Sequence, residues 1–428
     1  MRPLGVKKID NSLVINGYSF NDLKKKYKTP LYIMDKKQLY KNINDILNNF
    51  QSTLFNTHTI YASKALLNYK MLEICQEFKM GVDAVSLGDL YIIHQYGFDM
   101  KQVVFHGNNK SEEELSYAIS NGVGIIVVDN LLELELIDEL TKKMNQEVEI
   151  MIRINPHIDA HTHDYISTAK VASKFGISID DIKTMEDIIS IVRHNELIKF
   201  TGLHMHIGSS IFDFDIYYDA ILKIVDFINF LNNDYHISLT KLNIGGGFGV
   251  PYTKNDKVVK IGEYMEHIIA YLEDAICTTN SLISDVYIEP GRSIVATAGM
   301  TLYTASQIKH TEVKDYLFID GGMTDNIRKA LYNAEYTMEV VNKVDNEKEI
   351  KVDVVGGCCE SGDIIIEDAL IPNIDRGDLV VVYTTGAYNY SMFSNYNSHL
   401  KPAMILVGDE IELVSKREEL KDLIRFFK

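Results

Sequence analysis

The chain has 428 residues and a formal net charge of -17, with 43 lysine and arginine residues against 60 aspartate and glutamate residues. This length exceeds one ordinary domain, and the acidic balance argues against nucleic acid as the main partner, because phosphate binding needs a basic surface. The composition is that of a soluble globular protein. No apolar run near the start suits a signal peptide or membrane span, and four cysteines without a CxxC spacing suggest no disulfide framework. We therefore expect a reduced, cytoplasmic protein without a membrane partner.

The first part of the chain predicts a barrel. Residues 1–30 are β-like, and TPLYIMD is expected to lead into a region where β-rich runs alternate with amphipathic helical stretches. One helix should begin with a capping box at Ser111 and Glu114. The eight β-rich runs are TIYASKA, GVDAVS, VVFHGNN, GIIVVDN, EIMIRINP, GLHMHIGS, KLNIGGG and VYIEPGRS. Eight successive βα units predict an α/β fold, a TIM (β/α)8 barrel over residues 31–296, with a doubly wound sheet as the competing fold.

A second, β-rich domain is predicted after the barrel. Beyond residue 297 the helical period fades, and DYLFID, IKVDVV, DLVVVY and PAMILVG are typical of strands. We expect residues 1–30 and 297–428 to form a domain similar to a β-barrel or sandwich that completes the active site. In TIM barrels, polar residues at the carboxyl ends of the strands meet at one mouth, where active sites lie. The residues predicted there are Lys64, Asp83, His106, Asn108, Arg153, Asn155, His206, Gly245, Gly246, Gly247, Glu289 and Arg292.

Two of these segments favour a phosphorylated aldehyde cofactor. Most lysines are solvated surface charges, but Lys64, in YASKA at a barrel mouth, could lose its proton and form a Schiff base with an aldehyde. GGGFG follows the seventh strand, where TIM barrels commonly bind phosphate, although a glycine run can also be a flexible turn. Ser209 could add a hydroxyl to such a site.

The histidines and the EPGRS segment each allow two interpretations. His204 and His206 have strand spacing and could be a metal pair or include a ring that stacks on a flat cofactor. A metal pair needs a third ligand and a carboxylate; the sequence offers no recognisable set, so no metal is expected. Glu289 and Arg292 could be a surface ion pair. Alternatively, Glu289 would keep a pyridine nitrogen protonated and Arg292 would hold carboxylate or phosphate oxygens. HTHDY (161–165) is expected to be a solvated or gating loop.

In this order, the segments resemble the diaminopimelate decarboxylases, within the alanine-racemase-like, fold-type III enzymes that use pyridoxal 5'-phosphate (PLP). The resemblance covers nearly the whole chain. It is carried by YASKA, VDAVSLGDL, FHGNNKS, RINP, SKFGI, GLHMHIGSS, NIGGGFG, EPGRSIVA, DGGMTDNIRKALY, CCESGD and GAYNYSMFSNYN. It implies decarboxylation of meso-2,6-diaminopimelate to L-lysine and CO2, the last step of lysine biosynthesis, by a head-to-tail homodimer with shared active sites.

The resemblance also implies a role for each matching residue. Lys64 would bind PLP covalently, and Cys359 from the second subunit would donate a proton after CO2 leaves. The implied cofactor contacts are Lys64, His206, Ser209, Gly246, Gly247, Glu289, Gly291, Arg292 and Tyr388. The implied substrate contacts are Arg292, Arg328, Tyr332, Glu360 and Tyr388. The chain departs from the family pattern at Lys329, usually proline, at SHLKP, usually an RPRP-like run, and at TAK (168–170), usually TGK.

Other functions remain open on the sequence alone. A PLP decarboxylase acting on ornithine, lysine, arginine or carboxynorspermidine would share the cofactor site, but Arg328 favours a substrate with a distal carboxylate. An amino-acid racemase of this fold would place arginine at the pyridine nitrogen, where this chain has Glu289. A non-catalytic PLP carrier would be a lone barrel, and an inactive decarboxylase-like regulator would be expected to lack Cys359.

Overall fold

The structure, a computed structural model, describes residues 1–158 and 174–428. The chain divides into two compact units. The barrel unit comprises Asn44–Gly249 and Val259–Gly291, and the β unit comprises Met1–Ile43, Val250–Val258 and Arg292–Lys428. Residues 31–43, 250–258 and 292–296 were predicted to belong to the barrel domain, but here they group with the β unit.

The strands of the described residues are numbered in chain order. They are β1 (Val6–Ile9), β2 (Ser12–Ile15), β3 (Tyr18–Ser19), β4 (Leu31–Asp35), β5 (Asn56–Tyr61), β6 (Gly81–Ala84), β7 (Val103–Phe105), β8 (Ile125–Val128), β9 (Val148–Asn155), β10 (Ile177–Ser178), β11 (Ile198–His204), β12 (Lys241–Asn243), β13 (Asp285–Ile288), β14 (Gly299–His310), β15 (Asp315–Ile319), β16 (Met338–Val340), β17 (Ile350–Val355), β18 (Ile364–Ile371), β19 (Leu379–Tyr383), β20 (Ala403–Val407) and β21 (Ile411–Ser415).

The helices are numbered in the same way. They are α1 (Phe20–Tyr27), α2 (Lys36–Asn49), α3 (Tyr69–Glu77), α4 (Leu87–Tyr96), α5 (Glu112–Ser120), α6 (Leu131–Met144), α7 (Ile182–His194), α8 (Asp215–Asp234), α9 (Ile261–Thr279), α10 (Arg292–Val295), α11 (Arg328–Tyr332) and α12 (Leu420–Leu423). Short 3-10 turns cover Ser63–Ala65, Met100–Gln102 and Tyr396–Ser398. In the described part of the chain, no helix combines the length and apolarity needed to cross a bilayer.

The barrel unit is a closed ring of eight parallel strands. The ring runs β9, β11, β12, β13, β5, β6, β7, β8 and back to β9. Each of the eight predicted runs contributes one of these strands, so the predicted TIM barrel is confirmed. Strands such as β6 and β8 are buried along their whole length, as expected of a parallel sheet covered by helices. The two-residue strand β10 adds a further parallel pair to β9.

Polar residues after the strands start the barrel helices. The side chains of Ser86 and Asn130 accept backbone N–H groups in the first turns of α4 and α6. Ser111 and Glu114 form the predicted capping box at the start of α5. Because these caps follow the carboxyl ends of the strands, they fix the loops that build the mouth of the barrel.

The β unit is built on strands that are far apart in sequence. Its main sheet has the order β18-β17-β15-β14-β4-β20-β21, with β19 pairing to both β14 and β16. β4 runs antiparallel to β14 and parallel to β20. The TPLYIMD segment, which contains β4, was expected to lead into the barrel, but β4 instead lies inside this sheet. Its five residues are all buried, and such a pattern does not specify which sheet receives the strand.

Candidate active site

Lys64 lies in a 3-10 turn directly after β5, at the carboxyl end of a barrel strand. Its side chain is exposed, although the residues on either side are buried. The Ser63 N–H donates to Asp83 Oδ1 at 2.6 Å. The Ala62 N–H donates to the Pro290 carbonyl at 3.1 Å. The turn that carries Lys64 is therefore tied to the ends of two other barrel strands.

Asp83 is buried at the end of β6 beside this turn. Burial raises the pKa of its carboxyl to about 6, and the charges of His106 and Lys64 oppose that rise. A buried carboxylate and the Lys64 amine are thus close enough to interact electrostatically.

Glu289, the first residue after β13, is only 8% exposed. Its Oε1 lies 2.6 Å from His106 Nε2 and accepts from Asn243 Nδ2 at 2.7 Å. Its Oε2 lies 3.3 Å from His204 Nε2. Burial alone would raise the pKa of Glu289, but the two imidazoles lower it well below its usual range. The barrel therefore holds a buried carboxylate in its ionised form.

The two histidines of GLHMHIGSS have different surroundings. His204 contacts Glu289, whereas His206 Nδ1 accepts the Gly246 N–H at 3.3 Å. The sequence showed no third ligand for a metal pair, and the prediction of no metal rested on that premise. The premise was wrong, because the ligand atoms of His106, His204 and Glu289 all lie within 4.8 Å of one another. The absence of a metal stays a prediction and no longer rests on that argument.

Glycines at the ends of β12 and β13 lie where a side chain would collide with neighbouring atoms. A Cβ on Gly246 would lie 2.1 Å from the Glu289 carbonyl oxygen, and one on Gly247, at φ +105°, would lie 2.3 Å from the Gly208 carbonyl oxygen. A Cβ on Gly291 would lie 2.8 Å from Ala62 Cβ. Because glycine has no side chain, backbone N–H groups at these positions can approach phosphate oxygens closely. These glycines therefore fit the phosphate group of PLP.

Ser209 lies on the loop that follows β11. The Ile211 N–H on this loop donates to the Gly247 carbonyl at 2.9 Å. The loops after the sixth and seventh barrel strands are therefore joined, and Ser209 and the glycines belong to one local structure. The hydroxyl of Ser209 and the bare glycine backbone are groups of the type that binds a phosphate.

The other predicted contacts form a cluster inside the β unit. Arg292 and Arg328 are 7% and 6% exposed. Their Nη1 atoms donate to one acceptor, the phenol oxygen of Tyr252, at 2.7 and 3.0 Å. Both guanidiniums also lie over the ring of Tyr388, at 4.8 and 5.5 Å. Burial would raise the pKa of Tyr252, but the two arginines lower it overall.

Arg328 has an unusual set of neighbours for a buried cation. Among the described residues, its hydrogen-bond acceptors are the phenol oxygens of Tyr252 and Tyr336, and none is a carboxylate. Its Nε has no hydrogen-bond partner there, and the ring of Tyr332 lies 5.8 Å away. A buried guanidinium in this state can still accept a carboxylate ligand by two parallel hydrogen bonds.

Cys359 and Glu360 lie on an exposed loop of the β unit. The Cys359 N–H donates to Asn397 Oδ1 at 2.8 Å, and the Tyr396 hydroxyl donates to Glu360 Oε2 at 3.3 Å. Within the described residues neither is hydrogen-bonded to the arginine cluster. The HTHDY and TAK segments lie outside the described residues.

Sequence reasoning assigned no role to three residues that the structure places at these sites. His106 follows β7, Asn243 ends β12, and both contact Glu289. Tyr252 joins the two arginines. His106 was expected at the barrel mouth from its position after a strand. Tyr252 follows the glycine loop by three residues in the sequence GGGFGVPY, and that proximity was the available signal.

Comparisons with known proteins show the family of this chain. A family model described as "Pyridoxal-dependent decarboxylase, pyridoxal binding domain" matches residues 40–296. The chain is 40% identical over 415 residues to the diaminopimelate decarboxylase of Bacillus subtilis, covering 96% of this chain and 94% of the relative. It is 36% identical over 418 residues to that of Staphylococcus aureus, covering 97% of each. A crystal structure of diaminopimelate decarboxylase from M. jannaschii in complex with L-lysine is 32% identical, with a TM-score of 0.92, and covers 100% of this chain and 99% of that one.

Proposed function

The chain belongs to the pyridoxal-dependent decarboxylase family, and within it to the diaminopimelate decarboxylases, and we propose how its residues share the conversion of meso-2,6-diaminopimelate to L-lysine and CO2. The cofactor is PLP, and the reaction is the last step of lysine biosynthesis. One observation carries the assignment of roles: the Lys64 turn is hydrogen-bonded to the segment that begins with Glu289. A reactive amine and a buried anion therefore lie at one mouth of the barrel.

The barrel residues are the proposed cofactor site. Lys64 Nζ would bind PLP covalently until the substrate amine displaces it, and the Glu289 carboxylate would hold a proton at the pyridine nitrogen. When bound, PLP supplies an electron sink for the electron pair that departing CO2 leaves behind. The remaining proposed cofactor contacts are His206, Ser209, Gly246, Gly247, Gly291, Arg292 and Tyr388.

The arginine cluster is the proposed site for the distal end of the substrate. Diaminopimelate has an amino-acid group at each end, so a diaminopimelate decarboxylase needs a cation for the carboxylate that is not lost. Among the described residues, Arg328 donates hydrogen bonds to phenol oxygens and to no carboxylate. This supports the role, because hydrogen bonds from a guanidinium to an ionised carboxylate are stronger than those to a phenol. The proposed substrate contacts are Arg292, Arg328, Tyr332, Glu360 and Tyr388.

Cys359 is the proposed proton donor to the substrate carbon after CO2 leaves. We infer that it acts from the partner subunit, in a cytoplasmic homodimer with shared active sites. Its exposure supports this proposal, because a residue that serves a second subunit must lie on the surface of its own. We retain residues 31–296 as the proposed cofactor-binding domain, with residues 1–30 and 297–428 as the β-rich domain that completes the site.

The substrate assignment is tested by CO2 release. Purified protein with added PLP should release CO2 from meso-2,6-diaminopimelate, and release from ornithine, lysine or arginine should be much slower. If meso-2,6-diaminopimelate were inert while one of the others reacted, the decarboxylase family would stand and the substrate would be wrong.

The role of Lys64 is tested by absorbance. Lys64→Ala should abolish the visible absorbance of covalently bound PLP, because no other amine is proposed to reach the aldehyde. Lys110→Ala is a poor control, since Lys110 forms a buried ion pair with Glu133 at 2.6 Å. Lys79→Ala, at an exposed lysine of the same unit, is a better one and should keep the absorbance. Retention of the covalent spectrum in Lys64→Ala would refute the assignment.

A further inference from the structure

Three side chains from other parts of the barrel, those of His106, His204 and Asn243, contact Glu289, and none of the three has a role in the function proposed above. We propose that His106 and His204 are positioning residues that fix the Glu289 carboxylate for the pyridine nitrogen of PLP. This inference rests on the proposed function of Glu289 and extends it to the residues behind that carboxylate.

The hydrogen-bond directions follow from the chemistry of a carboxylate. An ionised carboxylate only accepts hydrogen bonds, so His106 Nε2, His204 Nε2 and Asn243 Nδ2 must all act as donors toward Glu289. Both imidazoles therefore carry a proton on the Nε2 atom that faces Glu289. Consistently, His204 Nδ1 is buried without a hydrogen-bond partner among the described residues.

The donors are distributed unequally over the two carboxylate oxygens. Oε1 has two close donors, at 2.6 and 2.7 Å, whereas Oε2 has one imidazole at 3.3 Å. Each carboxylate oxygen can accept about two hydrogen bonds. Oε2 therefore keeps the capacity for one strong donor, which is what a protonated pyridine nitrogen would provide. The histidines would thus orient the carboxylate as well as stabilise its charge.

The buried surroundings of His204 favour a neutral donor at this position. Burial lowers the pKa of His204 to about 4, so this ring is neutral near pH 7. The other charged or titratable groups facing the cluster are Asp83, Asp129, Arg153, Lys64 and His206. A neutral imidazole donates a hydrogen bond without adding a positive charge that would repel a pyridinium.

The same three ligand atoms are also close enough to bind a divalent cation. A cation there would neutralise Glu289 and remove the acceptor that the pyridine nitrogen needs. The two possibilities are therefore exclusive and can be separated experimentally.

The main experiment measures the dissociation constant of PLP from apo-protein by absorbance titration. His106→Leu and His204→Leu remove the donor, whereas His106→Gln and His204→Gln keep an N–H near Nε2. Loss of a charge-assisted hydrogen bond should weaken PLP binding by about tenfold or more in each leucine variant. The glutamine variants should stay within about threefold of the wild type, because their donor remains. Wild-type affinity and an unchanged PLP spectrum in both leucine variants would overturn the proposal.

A double-mutant cycle with Glu289→Gln separates positioning from general damage. If the histidines act through Glu289, adding His106→Leu to Glu289→Gln should weaken PLP binding little further. If the double variant instead lost PLP affinity by the product of the two single-variant factors, the histidine would act independently of Glu289, and the proposal would be overturned. Melting temperatures of the apo-proteins would identify variants that fail to fold. Stoichiometric zinc in wild-type protein that is lost in the leucine variants would overturn it in favour of a metal site. Failure of the wild type to bind PLP would instead refute the proposed function itself.

Discussion

Arg292 and Arg328 share one acceptor, the phenol oxygen of Tyr252. Tyr252 therefore influences the orientation of both guanidiniums although it lies outside the barrel strands. The phenol oxygen receives both Nη1 donors, and the Tyr252 ring packs edge-on against Tyr336 at 5.7 Å. The two guanidiniums are thus held in fixed orientations before any carboxylate binds. Preorganisation of this kind lowers the entropy lost when a ligand is bound.

We expect Tyr252→Phe to raise the KM for meso-2,6-diaminopimelate by about tenfold while changing kcat less than about threefold, because the ring remains but the shared acceptor is lost. Tyr18→Phe is the matched control. It also removes a phenol hydrogen bond in the β unit, to the Asp409 carbonyl at 2.7 Å, and should leave both constants unchanged. Steady-state CO2 release measures both variants. An unaltered KM in Tyr252→Phe would exclude the positioning role.

The site residues that the sequence predicted differ from those that it did not predict in how far along the chain their contacts reach. Lys64 and Glu289 follow apolar strands directly, so the barrel pattern alone places them at the mouth. The contacts of His106 with Glu289 join residues 183 positions apart, and no local pattern specifies such a pair. Tyr252 was missed for the same reason, since its partners are 40 and 76 positions away.

At the scale of elements, the glycine loop after β12 shows why some backbone positions exclude side chains. Gly247 combines a positive φ with a hypothetical Cβ 2.3 Å from the Gly208 carbonyl oxygen. Gly97, which ends α4, also has a positive φ, +82°, but nothing lies within 4 Å of its Cβ position. A comparison of substitutions at the two glycines therefore distinguishes the cost of backbone strain from the cost of a clash between the new Cβ and neighbouring atoms.

Gly247→Ala should therefore weaken PLP binding strongly and lower the melting temperature, because the loop must move away from the carbonyl. Gly97→Ala should cost only the strain of a left-handed alanine, about 1 kcal/mol of the free energy of unfolding, and leave PLP affinity unchanged. Absorbance titration and thermal unfolding measure the two effects. Equal PLP affinities in the two variants would show that the loop after β12 does not contact the phosphate.

The elements themselves were predictable to different degrees. All eight barrel strands follow from alternating apolar runs and helical periods, since each unit is local in sequence. The position of β4 did not follow, because its pairing partners β14 and β20 are distant in the chain. The segment 250–258 also groups with the β unit, where Tyr252 contacts Arg328, a residue 76 positions away in the chain. Local sequence determines strand formation more directly than it determines which strands pair.

At the scale of the whole molecule, the proposed homodimer with shared active sites can be tested with mixed dimers. Lys64→Ala and Cys359→Ala should each have little activity alone. If Cys359 acts across the subunit interface, unfolding and refolding the two variants together should restore about a quarter of wild-type activity, because half of the dimers are mixed and each has one intact site. If both residues act within one subunit, no activity would return. CO2 release before and after refolding distinguishes these results.

Stability should also depend on pH through a buried acid in the β unit. Burial raises the pKa of Asp325 to about 7, although Tyr303 and the Gly322 N–H donate hydrogen bonds to it. The unfolded chain, with an ordinary pKa of 3.8, loses this proton first. The folded state therefore binds more protons between about pH 4 and 7, and its stability should fall as the pH rises through that window.

Asp325→Asn removes this titration. The difference in melting temperature, variant minus wild type, should grow from about pH 4 to 7 and then level off. Comparing the difference across pH cancels any constant effect of the substitution on packing. A difference that does not change with pH would show that Asp325 does not titrate as proposed.

The location of β4 between β14 and β20 also constrains how the protein is made. Ribosomes synthesise β4 before the barrel strands, and both neighbours of β4 after them. While the barrel is being completed, a strand that is fully buried in the folded protein has neither of its pairing partners and exposes unpaired backbone to other chains. The nascent chain should thus be most prone to aggregation, and most dependent on chaperones, in the interval before β14 emerges.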